Sequence, residues 1–125
     1  MSAKLILAVG AGSFIGGVLR YAVSVLMRTG AAPQFPWRTL AINVAGCLFM
    51  GFVFGFAERG RISRQWELFL ATGVLGGFTT FSAFSIESVN LLKNKHPASA
   101  ALYVGASVVF GLLATYFAYH RTIGK

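Results

Sequence analysis

Four long stretches without charge leave this chain few ways to fold. "LILAVGAGSFIGGVL" fills 5–19 and continues past Arg20 into "YAVSVLM", and "TLAINVAGCLFMGFVFGFA" fills 39–57. "LFLATGVLGGFTTFSAFSI" fills 68–86 ahead of Glu87, and "ASAALYVGASVVFGLLATYFAY" fills 98–119. Each can supply the roughly 20 helical residues that cross a bilayer core. Together they nearly exhaust 125 residues that are 56% hydrophobic and carry only 11 Lys+Arg and 3 Asp+Glu. A soluble domain normally has about a quarter of its residues charged. The chain therefore reads as an all-α integral membrane protein, one four-span domain over 1–125 with no soluble module. Its spans are expected at about 4–27, 37–57, 66–92 and 98–119. A single lysine, Lys4, precedes a first run longer than the apolar core of a signal peptide, so the N-terminus reads as a span.

What is scarce excludes several chemistries. Cys47 is alone and mid-span, so neither a disulfide framework nor a cysteine-based metal spacing exists. His96 falls in a turn and His120 at the end of the last span, both interfacial positions. "GAGSFIGG" at 10–17 resembles a phosphate loop only on the surface: no strand precedes it, its spacing is wrong and no Walker lysine follows. The acidic residues are Glu58, Glu67 and Glu87, too few and too scattered for paired-carboxylate catalysis, and no nucleophile–base pair is present. The chain is not expected to be an enzyme. Its formal charge of +8 has no common face, which argues against nucleic acid. The basic residues sit in connections and at span ends, where they meet anionic lipid headgroups or attract an anionic solute.

Those charges also bear on orientation. Four spans put the N-terminus, the 58–67 loop and the C-terminus on one side, with Lys4, Arg59, Arg61, Arg64, Arg121 and Lys125. The other side carries Arg20, Arg28, Arg38, Lys93 and Lys95. Orientation follows the imbalance of positive charge, and six against five is almost none. Insertion both ways up, and pairing of the two forms as an antiparallel homodimer, is the expectation. Helices of about 10 Å diameter pack four together with little room for a watery path. The pairs Gly12/Gly16, Gly51/Gly55 and Gly73/Gly77 permit close helix packing, within the chain or between copies. A solute would then pass between subunits.

Polar groups within spans are costly unless they face partners or a cavity. Asn43, near the start of span two, is either an interhelical hydrogen bond or a donor to a solute. In span three, Thr79, Ser82 and Ser85 would form one stripe on a continuous helix, with Phe78, Phe81 and Phe84 beside it about 100° around the axis. Packing suffices to explain Phe78; Phe81 and Phe84, flanked by hydroxyls, stay open. "GVLGGFTT" strings three glycines ahead of two threonines, each glycine costing about 1 kcal/mol of helix propensity. A break there would free carbonyls for a cation, and two breaks could share one ion on the two-fold axis of an antiparallel dimer. Neutral donors and the positive edges of phenyl rings suit a small anion held without a full counter-charge. Arg20 either draws anions into a vestibule or extends to the headgroups.

"GGFTTFSAFSIE", with "TLAINVAG", "GVLRY" and "LYVGAS", resembles the CrcB/Fluc family of fluoride channels over essentially the whole chain. The resemblance implies a dual-topology antiparallel homodimer in a bacterial inner membrane, with two separate passive fluoride pores lined by both subunits. It implies that Phe81 and Phe84 present ring edges to fluoride and that Asn43 donates from span two. Ser82, Thr80, Tyr103 and Ser107 would add a polar track. Gly76 and Thr79 would supply carbonyls to a structural Na⁺ at the dimer axis, Arg20 would stand at the vestibule, and Glu87 is the family's acidic residue after the phenylalanines. Two departures remove hydroxyls: Ala83 stands where relatives often carry threonine, and Gly111 where some carry serine.

The alternative is a small dual-topology, proton-coupled exporter of organic cations, which is also a four-span protein. It needs a membrane carboxylate, usually in the first span. Here the first span carries Arg20 instead, and Glu87 is the only candidate. A scaffold without transport would explain the glycines but not the hydroxyl and phenyl stripes.

Overall fold

A computed structural model of the chain describes residues 2–28 and 35–124. Lys125 and residues 29–34 of the 28–38 connection lie outside the described residues. Those described are helical with no strand. Helix α1 spans Ala3–Leu26 and α2 spans Trp37–Glu58. The third span begins with the short α3, Arg64–Glu67, passes into a π-helical segment Leu68–Leu75, and ends its first half with α4, Gly76–Phe78. Helix α5, Phe81–Lys93, completes that span, and α6, Pro97–Ile123, is the fourth. Four stretches, Ala3–Leu26, Trp37–Glu58, Arg64–Lys93 and Pro97–Ile123, are long and apolar enough to cross a membrane. Leu7, Phe14, Leu26, Leu102 and Leu112 are exposed, which suits contact with acyl chains.

The helix ends follow from local chemistry. Ser63 caps α3, its Oγ accepting from the Trp66 N–H at 3.2 Å. Helix α2 ends in a Schellman turn: Arg61 N donates to Phe56 O at 2.9 Å and Gly60 N to Ala57 O at 3.0 Å. Gly60 takes the left-handed conformation this requires, with φ +70. Helix α5 ends the same way, His96 N donating to Leu91 O and Lys95 N to Leu92 O. There the left-handed position, φ 63, falls to Lys95. Pro97 then opens α6 at a position where its missing N–H costs nothing.

Packing divides the molecule into two halves. Helix α1 lies against the π-helical segment and α4, while α2 lies along α6, which also receives α5. The paired glycines make both seams. A Cβ on Gly12 would stand 2.9 Å from Gly73 Cα, and one on Gly77 would stand 2.6 Å from Ser13 O. A Cβ on Gly16 would clash with the Val74 carbonyl oxygen. Across the other seam, Cβ atoms on Gly51 and Gly55 would collide with the α6 backbone at Thr115 and with Thr122 Cβ. All three glycine pairs are spent on contacts inside the chain. Gly73, Gly76 and Gly77 remain helical; the residues that leave helical geometry are Thr79 (φ −82, ψ 156) and Thr80 (φ −148, ψ 120).

Candidate functional site

Two extended residues inside a membrane span raise an accounting question, because every backbone polar group there needs a partner. Asn43 answers for Thr80. Its Nδ2 donates to Thr80 O at 3.0 Å, and its Oδ1 accepts from Thr80 N at 2.9 Å. One side-chain amide thus acts as a strand neighbour would, pairing both groups of the residue, and still has a second amide proton. Thr79 is tied backwards: its N–H and its hydroxyl both donate to Leu75 O, at 3.0 and 2.9 Å. Thr80 caps the helix that follows, its Oγ1 accepting from Ala83 N at 3.2 Å, with Ser82 Oγ also 3.2 Å away. On α2, Gly46 leaves the space that the Thr79 methyl fills.

The rearrangement leaves carbonyls behind. In a continuous helix Thr80 N–H would serve Gly76 O, and Ala83 N–H would serve Thr79 O. The first goes to Asn43 and the second to the Thr80 hydroxyl. Gly77 O accepts instead from Arg20 Nε at 3.2 Å. Arg20 therefore lies within α1, six residues before its end at Leu26, and reaches sideways to a backbone carbonyl rather than outward to headgroups.

A cleft of about 320 Å³ opens beside the two threonines. Asn43, Thr79, Thr80, Phe81, Phe84 and Ser107 line it, and Cys47, Met50 and Thr115 extend it along the α2–α6 seam. No charged side chain is among its lining residues. Ser107 Oγ is buried and has no hydrogen-bond partner among the described residues. Phe81 is 78% exposed, while Phe84 packs inward, the two rings 5.5 Å apart. Phe78 is on the other side of the break, where it borders an apolar crevice with Leu19, Phe49 and Val74. The phenylalanine and hydroxyl stripes of a continuous helix thus begin only at Phe81 and Ser82.

Glu87 and Tyr103 sit behind the cleft wall. Tyr103 is fully buried against Leu91 and Ala100, with the Phe84 ring packed on it at a tilt of 48°, centroids 5.2 Å apart. Its hydroxyl donates to Glu87 Oε1 at 2.9 Å, and Thr39 Oγ1 donates to Oε2 at 2.8 Å. Both carboxylate oxygens are thus engaged by this chain's own hydroxyls. Among the expected site residues, Asn43, Thr79, Thr80, Phe81, Phe84 and Ser107 converge on one cleft. Ser82 is at its rim through Thr80, Gly76 is exposed, and Tyr103, Glu87 and Arg20 are set back from it.

Sequence reasoning missed Thr39, Cys47, Met50 and Thr115. Helical spacing held a signal for two of them: Thr39 is one turn before Asn43 on α2, and Thr115 two turns after Ser107 on α6.

Four apolar spans around a non-helical pair of threonines, beside an uncharged cleft of hydroxyl, amide and phenyl groups, define a multi-pass membrane protein of the channel class. The chain belongs to the CrcB family: the family model described as "CrcB-like protein, Camphor Resistance (CrcB)" matches residues 7–119. A "Fluoride-specific ion channel FluC" of Rhizobium meliloti is 46% identical over 112 residues, covering 89% of this chain and 90% of the relative. Its namesake in Methylobacterium nodulans is 49% identical over 109 residues, 86% of each chain. That of Flavobacterium psychrophilum is 40% identical over 114 residues, 90% of this chain and 92% of the relative. Those names describe channels, not enzymes.

Proposed function

We propose that this chain is the subunit of a passive, fluoride-selective channel that lets fluoride leave the cytoplasm across a bacterial inner membrane. The observation that carries the reading is the cleft. Asn43, Thr80, Phe81, Phe84 and Ser107 meet on a groove that stays open along a single chain, with Phe81 largely exposed. A second copy would close it. With Arg20 drawn inside the span, six positive charges on one side face Arg28, Arg38, Lys93 and Lys95 on the other, an imbalance small enough to permit antiparallel pairing, and two-fold symmetry then gives two equivalent pores.

Fluoride is small and strongly hydrated, so a pathway must replace its water without trapping it. The spare amide proton of Asn43, the unpartnered Ser107 hydroxyl and the edges of Phe81 and Phe84 offer distributed partial positive charge. The absence of a lysine or arginine from the lining residues keeps the hold weak enough for release. Ser82 would extend the polar track through Thr80; Tyr103 would act from behind, by fixing Phe84.

A structural Na⁺ at the dimer axis suits the same backbone. Gly76 and Thr79 have both lost their helical donors, to Asn43 and to the Thr80 hydroxyl, so their carbonyls from two subunits would form an all-oxygen set for a hard cation. Among the described residues no group of three His, Cys, Asp or Glu could hold a metal. When bound, the ion would offset the repulsion between facing carbonyl dipoles.

The test is fluoride efflux from liposomes carrying Phe81→Ile with Phe84→Ile. The double variant should reconstitute as a dimer and release fluoride at least 100-fold more slowly than the native chain. Conduction at the native rate would refute the phenyl-lined path. Glu87→Gln should leave fluoride efflux free of any dependence on a proton gradient, whereas a proton-coupled exporter would be abolished by it.

A further inference from the structure

The first half of the third span ends at Phe78, and its last-turn carbonyls meet the shortage of donors common to all helix C-termini. In a continuous helix Gly77 O would receive the Phe81 N–H. The extended Thr79–Thr80 pair carries that N–H away, and Arg20 Nε takes its place at 3.2 Å. Arg20 can do so because α1 lies in backbone contact with this part of the span. Cβ atoms on Gly16 and Gly77 would strike, respectively, the Val74 carbonyl and Ser13 O.

The same device occurs at two other helix ends. Arg38 Nη1 donates to Ser24 O in the last turn of α1 at 3.1 Å, and Arg59 Nη1 to Thr122 O in the last turn of α6 at 3.0 Å. Each arginine reaches from one helix to the carbonyl end of another, where the macrodipole favours a cation. Only Arg20 does this beside the non-helical threonines.

We infer that Arg20 is the positioning residue of the break: its guanidinium caps the first half of the third span at Gly77 and so fixes the flanking Gly76 and Thr79 carbonyls for a shared monovalent cation. The capping rests on the hydrogen bond alone; the consequence for the cation rests on the axial Na⁺ proposed above. Two effects of opposite sign are at stake. A positive charge near the carbonyls weakens cation binding, whereas a fixed carbonyl geometry strengthens it. The carbonyl end of the helix offsets part of the guanidinium charge, so the geometric effect is expected to outweigh it.

Arg20→Met removes both charge and donor, and Arg20→Lys keeps the charge without the planar fork. Both would be made in the full chain and purified as the detergent-solubilised assembly. Two readouts apply: amide hydrogen exchange across 79–83, and the Na⁺ concentration that gives half-maximal thermal stabilisation, with N-methylglucamine holding ionic strength constant. Arg20→Met should exchange at least tenfold faster at 79–83, the size expected for losing one charge-assisted hydrogen bond, while the middle of α6 is unchanged. Its Na⁺ midpoint should rise about tenfold by the same reasoning, with Arg20→Lys between it and the native chain. Exchange within twofold of native in Arg20→Met would overturn the capping role. A lower Na⁺ midpoint in Arg20→Met, with Arg20→Lys matching native, would show that only charge matters. A native chain stabilised no better by Na⁺ than by N-methylglucamine would sink the axial cation and its consequence, while hydrogen exchange still decides the capping. Should Arg20→Met fail to fold, Arg20→Lys carries the same comparison.

Discussion

Asn43 spends one side chain on both backbone groups of Thr80, half-buried within a membrane span. Truncation to alanine would leave a half-buried N–H and C=O unpaired, together costing about 1–3 kcal/mol. Asn43→Ala is expected to lower the thermal midpoint markedly and to slow fluoride efflux at least tenfold; a midpoint within a degree of native would show that Thr80 finds other partners. Tyr103→Phe should be milder, because Glu87 keeps the Thr39 hydroxyl, and about 1–2 kcal/mol of lost stability in a denaturant titration is expected. The sequence marked Asn43 as an intramembrane amide with two open roles, and the structure gives it a backbone partner 37 residues away. Thr39 went unremarked although it lies one turn before Asn43 on α2, because spacing along α2 does not reveal its partner. Only the fold brings Glu87 to it across 48 residues. Side-chain pairs of this kind are set by tertiary approach, to which local spacing is blind.

At the scale of elements, the glycines divide by what a methyl group would meet. Gly16→Ala must push the α1 seam away from Val74, and overpacking of this sort costs about 1–3 kcal/mol or more. Gly10→Ala meets nothing within 4 Å and should gain up to about 1 kcal/mol of helix propensity. Thermal midpoints of the two variants should therefore move in opposite directions. Lys95 offers an independent check on the α5 terminus. A non-glycine residue at φ 63 is strained by about 1 kcal/mol, so Lys95→Gly should raise the midpoint with efflux unchanged. The four spans and the small-residue pairs were legible in the sequence because length, charge and spacing are local. The glycines misled on one point. They suggested where helix geometry would fail, yet they stay helical and serve contact with α1, while the two threonines after them leave the helix. Which of two adjacent weak helix formers yields depends on partners, here Asn43 and Gly46 on α2.

The described residues present apolar side chains on the outside and an uncharged cleft, dotted with hydroxyl and amide groups, open on one flank. Antiparallel pairing requires the chain to insert both ways up, and its near-even positive charge permits that. Asn94→Lys with His96→Lys should bias insertion one way and deplete the antiparallel form. Cysteine labelling from each side of the membrane would report this as a change from two-sided to one-sided access, and one-sided access in the native chain would remove dual topology. The central claim, fluoride selectivity, is tested most directly by efflux from liposomes reconstituted with the native chain. Loaded with KF and opened to potassium by valinomycin, they should release fluoride rapidly to an external electrode, while matched KCl liposomes release no chloride above protein-free controls. Release of both ions, or of neither from well-reconstituted protein, would contradict it.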